Sequence, residues 1–308
     1  MPIVIPKTLP AHDSLLNENI FVMDDERAHT QDIRPVEIAI VNLMPTKIET
    51  ETQLLRLLSN TPLQVNITFI QMASHVSKNT SKSHMEKFYK TYEDIKDSKF
   101  DGMIITGAPV EHLDFKDVEY WEELKKVFDF AEENVTSTIY ICWAAQASLY
   151  YHYGINKYTL SEKLFGVFPN KKMVKFEPLL NGIDDTFYVP HSRHTQIDPK
   201  DILSNENLIA LGYSEEAGIS ILKSKDNKKI FISGHIEYDK FTLKNEYERD
   251  LQKGLDIKKP KNYFEGDDVN VIWRSTAYII YSNWLNYYVY QVTPYDLNEK
   301  IVKKNFDI

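Results

Sequence analysis

The sequence predicts an α/β fold, a mainly parallel sheet flanked by helices, with additional strands in the second half. Three observations predict it. Apolar, β-branched runs alternate with helical spacings over about the first 150 residues, the pattern of βαβ units. Short apolar runs then follow one another closely between Val174 and Ser233, with antiparallel connections expected. Three early strands also end in unusual loops, and ligands of such sheets sit at the carboxyl ends of strands.

Residues 1–34 read as an irregular arm. Val36–Leu43 follows as a buried strand, broken by Met44-Pro45-Thr46, and Ile48–Leu58 repeats apolar residues at helical spacing. Val65–Met72 is the second strand, and the polar run Ala73–Ser83 a surface loop. Met85–Ile95 reads as a helix, and Phe100–Thr106 as the third strand, ended by Gly107-Ala108-Pro109. Val118–Glu133 is a charged amphipathic helix; Thr138–Cys142 is the fourth strand and runs straight into a helix over Ala144–Tyr151. Later, Val174–Leu180, Thr186–Val189, Leu208–Tyr213, Ile219–Lys223 and Lys229–Ser233 read as strands. Phe241–Leu255 and Val269–Tyr290 read as helices. With no repeat and no clean linker, the expected organisation is an arm (1–34), one α/β domain (35–298) and a tail (299–308).

Composition narrows the function classes. Hydrophobic residues at 43% and charged residues at 26% are ordinary globular usage across 308 residues, which suffice for a substantial core. A net charge of −9 argues against a general nucleic-acid or anionic-membrane surface. One cysteine excludes an intramolecular disulfide and supplies too few ligands for a cysteine-based metal site, so no metal is expected. Residues 1–23 hold Pro2, Pro6 and Pro10 and no continuous apolar stretch of signal-peptide type. No run of about 18 uninterrupted apolar residues occurs, and the expected compartment is the cytoplasm. Tyr278, Tyr281, Trp284, Tyr287, Tyr288 and Tyr290 recur at helical spacing without interleaved basic residues, which favours core or subunit interface over base stacking.

The chemistry centres on that cysteine. An apolar strand ends in Cys142 and a helix starts immediately behind it, a nucleophile-elbow arrangement. The positive end of the helix favours thiolate over thiol, and the backbone N–H of Trp143 is well placed as an oxyanion donor. A second apolar strand ends in Gly234-His235-Ile236-Glu237. In an extended segment residues i and i+2 point the same way, so Glu237 can orient the His235 imidazole as a base for the thiol.

Five ordered motifs extend the pattern: Asn42-Leu43-Met44-Pro45-Thr46-Lys47, Thr106-Gly107-Ala108-Pro109-Val110-Glu111, Cys142-Trp143-Ala144-Ala145-Gln146, Pro190-His191-Ser192-Arg193-His194-Thr195 and Gly234-His235-Ile236-Glu237-Tyr238-Asp239. Together they resemble the homoserine O-acyltransferases of methionine biosynthesis, relatives of class I glutamine amidotransferases, over about residues 1–298. The resemblance implies a class I glutamine amidotransferase-like fold. Ile141 and Trp143-Ala144 stand where glutaminases favour glycines near the cysteine, which counts against glutamine hydrolysis.

The resemblance implies a double displacement with no permanently bound cofactor. Cys142 takes an acyl group from acyl-CoA with His235 as base, and the γ-hydroxyl of L-homoserine then takes it from the enzyme. Trp143 and Leu43 are candidate oxyanion donors, and Lys47 is either a third or a solvated surface lysine. Resemblance places Arg249 on the homoserine carboxylate, with Ser192 and Lys163 at the same site and Ser192 also among the residues for acyl-CoA specificity; a pair between Arg249 and Glu246 is the alternative. Arg193, His191 and His194 share the polar loop of Ser192, and ligands cannot be told from scaffold there. Within the family a glutamate at the place of Glu111 goes with acetyl-CoA and a glycine with succinyl-CoA. The physical reason is that the glutamate fills the pocket and repels a succinyl carboxylate. The expected reaction is therefore acetyl transfer from acetyl-CoA to homoserine, with succinyl transfer or a glutaminase-like hydrolase as alternatives. Lys223–Lys229 and Lys258–Lys261 read as solvated turns or as contacts for CoA phosphates. Family resemblance and the aromatic C-terminal helix suggest a homodimer.

Overall fold

The computed structural model describes residues 3–18, 20, 22–23, 34–77, 79–266 and 268–293. The expected tail, 299–308, lies outside the described residues.

One sheet organises the molecule. Its strands are β1 (Ile3–Val4), β2 (Val22–Met23), β3 (Val36–Val41), β4 (Val65–Ile70), β5 (Tyr89–Lys90), β6 (Phe100–Ile105), β7 (Val135–Ile141), β8 (Lys157–Lys172), β9 (Thr186–Ile197), β10 (Leu208–Ser214), β11 (Gly218–Ser224) and β12 (Lys229–Ile232). They lie in the order β2-β1-β4-β3-β6-β7-β12-β11-β10-β8-β9, with β5 on β4. Pairing is parallel from β2 to β12 and antiparallel from β12 to β9, the division the sequence predicts.

The central strands are apolar on both faces because both faces are covered. On β3, Ile38 and Ile40 face one core, and Ala39 and Val41 the other. The first core includes Leu15 of α1 (Pro10–Asn17) and Leu54, Leu55 and Leu58 of α2 (Lys47–Leu58). Two short helices, α3 (Lys82–Phe88) and α4 (Tyr92–Ile95), flank β5. The second core takes Leu124, Val127 and Phe128 of α5 (Trp121–Asn134) and Ala144 and Ala145 of α6 (Trp143–Tyr153). After α7 (Pro199–Ser204) and α8 (Thr242–Gln252), α9 (Arg274–Asn283) returns to the first core and continues as a π-helix over Trp284–Tyr290. Trp284 packs so closely on the sheet that a Cβ on Gly102 would come within 2.8 Å of its ring. Its indole N–H donates to Ser137 Oγ at 3.0 Å.

Several expectations are corrected. The arm is not irregular where it is described: β1 pairs with β4, Leu9 and Leu15 are buried, and Arg56 binds Glu18. Two-residue strands leave no periodicity to read. The helix expected over Met85–Ile95 breaks at Tyr89, which turns extended, pairs with β4 and stacks on Phe69 at 5.4 Å. Val174–Leu180 is not a strand; Pro178–Leu180 is a 3₁₀ turn whose Leu179 N–H is capped by Glu177. The helix expected from Val269 begins at Arg274. The largest omission is β8, sixteen residues of which only 165–168 and Asn170 are buried and which pair along β9. The supposed polar loop Pro190–Thr195 is accordingly the middle of β9. Tyr281, Trp284 and Tyr288 are core, whereas Tyr287 and Tyr290 remain exposed. Lys223 and Lys229 are not solvated: they are buried on Glu177 and Glu132. Among the described residues no helix is long and apolar enough to cross a membrane.

Candidate active site

Four adjacent parallel strands, β3, β6, β7 and β12, end at one edge. Val41 is level with Ile105, Ile105 with Tyr140, and Ile141 with Ile232. The next residues continue that alignment, since Thr106 N–H donates to the Val41 carbonyl and Cys142 N–H to that of Ile232. Register alone thus brings together the segments that follow, which carry Leu43, Gly107, Cys142 and His235.

Cys142 sits between β7 and α6 with φ 50° and ψ −112°, a left-handed backbone that a side chain rarely adopts. The strain is held from both sides. The Cys142 N–H is tied to β12, and Trp143 behind it is 1% exposed, packed against Phe115 and Tyr120. The Trp143 N–H occupies the first helical position, one of the four donors a helix leaves without an internal partner.

His235 follows β12, and its N–H donates to the Pro190 carbonyl of β9 at 2.8 Å. Its Nδ1 lies 2.6 Å from Glu237 Oε1, and both side chains are buried. Tyr238 stacks on the imidazole, centroids 4.2 Å apart and planes 14° from parallel. Burial alone disfavours the imidazolium, but the charges and hydrogen bonds of Cys142 and Glu237 outweigh it and hold the His235 pKa well above 6.5. Gly107 closes the group. A Cβ there would lie 3.3 Å from both Cys142 Cβ and His235 Cε1, so the absent side chain keeps the space between the thiol and the imidazole open.

The loop after β3 carries the second part. Lys47 is buried, not a solvated lysine, and donates to the Asn42 carbonyl at 2.5 Å. Burial pulls its pKa down to about 8, partly opposed by Glu51. Glu51 is itself bonded to His84 and Tyr89, and Tyr89 to Asn42, so a buried polar network fixes this loop. Leu43 N–H, expected as an oxyanion donor, is spent on Thr106 Oγ1 at 2.8 Å.

Alternation along β9 sorts its polar residues. His191, Arg193 and Thr195 point into the structure and are buried, whereas Ser192 and His194 face outward. Arg193 donates to the Thr195 and Ala217 carbonyls and holds β9 in place; burial lowers its pKa to about 10. Ser192 donates to Glu246, which also accepts from Tyr238 at 2.9 Å. Lys163 lies 3.0 Å from Asp250, and Arg249 pairs with Asp250 at 2.8 Å, not with Glu246. Its side chain is 54% exposed. Glu111 receives the His194 N–H at 2.8 Å and Thr195 Oγ1 at 3.4 Å. Burial lowers the His194 pKa below 6.5 against the pull of Glu111.

Cys142, His235 and Glu237 therefore form one line, and Ser192, Lys163 and Arg249 gather around Glu246 and Asp250. Sequence reasoning gave Thr106 and Tyr238 no role beyond membership of a motif, took Glu246 only as a partner for Arg249, and missed Asp250, whose one hint is its place next to Arg249 on α8. A strained thiol, an oriented imidazole and a free helix-end N–H are the parts of covalent acyl transfer.

A family model described as homoserine O-succinyltransferase matches residues 2–295. The chain is 59% identical over 303 residues to a homoserine O-acetyltransferase of Acetivibrio thermocellus, spanning 97% of this chain and 99% of that relative. It is 58% identical to a homoserine O-acetyltransferase of Petrotoga mobilis over 97% of this chain and 98% of that one. Among solved structures, a glutamine amidotransferase of Thermotoga maritima superposes with a TM-score of 0.53 at 14% identity, over 82% of this chain and 98% of that chain. That likeness establishes the fold, which is class I glutamine amidotransferase-like.

Proposed function

The chain belongs to the homoserine O-succinyltransferase family, and on that premise we propose that it is a homoserine O-acetyltransferase acting in methionine biosynthesis in the cytoplasm. The observation that carries this reading is the buried Cys142–His235–Glu237 line at the common strand edge.

The Cys142 sulfur attacks the carbonyl carbon of acetyl-CoA, its proton held on His235. The tetrahedral oxyanion collapses, the carbon–sulfur bond to CoA breaks, and His235 returns the proton to the leaving thiol. Homoserine then enters. His235 takes the proton of the γ-hydroxyl as that oxygen attacks the acetyl-thioester, and the Cys142 sulfur leaves. Glu237 keeps the imidazole in the tautomer that presents its other nitrogen to the sulfur and stabilises the imidazolium in both halves. The Trp143 N–H and the Lys47 ammonium serve the oxyanion, because Leu43 spends its N–H on Thr106. Arg249 binds the homoserine carboxylate, with Lys163 and Ser192 beside it. Glu111, at the strand-end loop, limits the acyl chain and so favours acetyl-CoA over succinyl-CoA. A homodimer remains part of this reading, with the exposed Tyr287 and Tyr290 available to a second copy.

Mass spectrometry of enzyme mixed with acetyl-CoA alone tests the covalent step. The intact protein gains one acetyl group, homoserine removes it, and Cys142→Ala never acquires it. An adduct that persists in Cys142→Ala would sink the mechanism.

A further inference from the structure

We propose that Glu111, His112 and His194 form a site for a divalent transition-metal ion of the zinc type, and that occupation of this site inhibits the enzyme. One ligand atom from each residue falls within 4.8 Å of the other two. The ligands come from two elements: Glu111 and His112 from the loop after β6, and His194 from β9. The His112 and His194 rings stand 4.8 Å apart with planes at 47°.

The donor set suits such an ion. Two imidazoles and one carboxylate match three-ligand zinc sites that leave a fourth position to water, and imidazole selects zinc, copper or nickel over magnesium or calcium. Ligands around a tetrahedral ion at zinc distances lie about 3.4 Å apart. Side-chain rotations of roughly 1 Å close the gap, and His112 is exposed and able to make them.

The framework is held before any ion arrives. Glu111 is fixed by the His194 N–H and Thr195 Oγ1. Lys157 Nζ donates to the carbonyls of Glu111 and Leu113, which pins the loop against β8. These partners orient the ligands as outer-shell bonds do in metal sites. Two lysines oppose the ion: Lys157, near Glu111 and Asp114, and Lys163, which acts on His194. Lys163 is already paired with Asp250, and Lys157 is turned to carbonyl oxygens, so their opposition weakens binding without preventing it.

Inhibition rests on the acyl-pocket role of Glu111 proposed above. An ion on these three ligands ties the loop after β6 to β9 and takes up the carboxylate that borders the acyl chain. It needs no contact with Cys142.

Calorimetric titration of Zn²⁺ into the full-length Cys142→Ala enzyme excludes binding through the reactive sulfur. One ion is expected per chain, with affinity falling at least tenfold when His112→Ala or His194→Ala is added, since losing a ligand costs no less than losing an outer-shell partner. In the active enzyme, His112→Ala keeps the metal-free rate and raises the Zn²⁺ concentration for half-inhibition by at least tenfold. Absence of binding to Cys142→Ala, or equal binding with and without His112, overturns the site. Binding without inhibition at full occupancy overturns the inhibitory role. A preference for succinyl-CoA leaves the calorimetry untouched and bears only on the acyl assignment.

Discussion

If Glu111 borders the acyl group as proposed, replacing it by glycine removes both volume and charge there. The carboxylate is held at 2.8 Å by the His194 N–H and is half-buried, so its charge is neither free to swing away nor fully screened. Two unit charges about 4 Å apart at an effective dielectric near 20 repel by about 4 kcal/mol. Partial exposure and the neighbouring Lys157 ammonium reduce that by roughly half, leaving about 2 kcal/mol against a succinyl carboxylate. Since 1.36 kcal/mol is tenfold, Glu111→Gly should raise the ratio of kcat/KM for succinyl-CoA to that for acetyl-CoA about 30-fold. The variant also strands the His194 N–H, at a cost of about 1–2 kcal/mol in stability. The assay is CoA release followed with a thiol reagent, with each donor and saturating homoserine. Preference for succinyl-CoA by the unmodified enzyme would refute the reasoning, as would an unchanged ratio in the variant.

The remaining predictions concern the machinery and the core. His235 has a raised folded-state pKa, so its contribution to stability is fully present below about 6.5 and is lost as pH rises through the folded value. Glu237→Gln, which strands a buried imidazolium, should therefore cost about 3 kcal/mol at pH 6 and less at pH 9 in urea unfolding; a larger cost at pH 9 would contradict it. Lys47, with its pKa lowered to about 8, loses charge across that pH. Its removal in Lys47→Met should lower kcat by about 10²-fold and abolish a basic limb near pH 8; an unaltered pH–rate profile would remove Lys47 from the oxyanion role. Gly102→Ala places a Cβ 2.7 Å from Ile38 and 2.8 Å from Trp284, and should destabilise by about 1–3 kcal/mol in thermal or urea unfolding, with no loss meaning that the indole shifts freely.

Local chemistry made much of this molecule legible from its residues. Short β-branched runs had to be buried strands, and a thiol between such a strand and a helix had to stand on a sharp turn. His235 and Glu237, two apart in extended chain, had to face the same way. Those features depend on neighbours in sequence, and the structure keeps them.

What depends on distant partners was not legible. The sixteen-residue β8 has little apolar alternation because its stability comes from pairing with β9, a contact no local pattern encodes. The same pairing turned an expected loop into a strand and separated the inward Arg193 from the outward Ser192. Lys47, Lys223 and Lys229 look like surface lysines until the fold delivers the oxygens that let them be buried. The Leu43 N–H was available to an oxyanion until Thr106, sixty-three residues on, took it. The placement of Cys142 on a sharp turn and of Glu237 beside the His235 imidazole was legible in the residues, because one strand end and one turn build each. Only the tertiary structure decided which polar groups around them are spent and which are free, because each is satisfied by a partner that folding alone brings near.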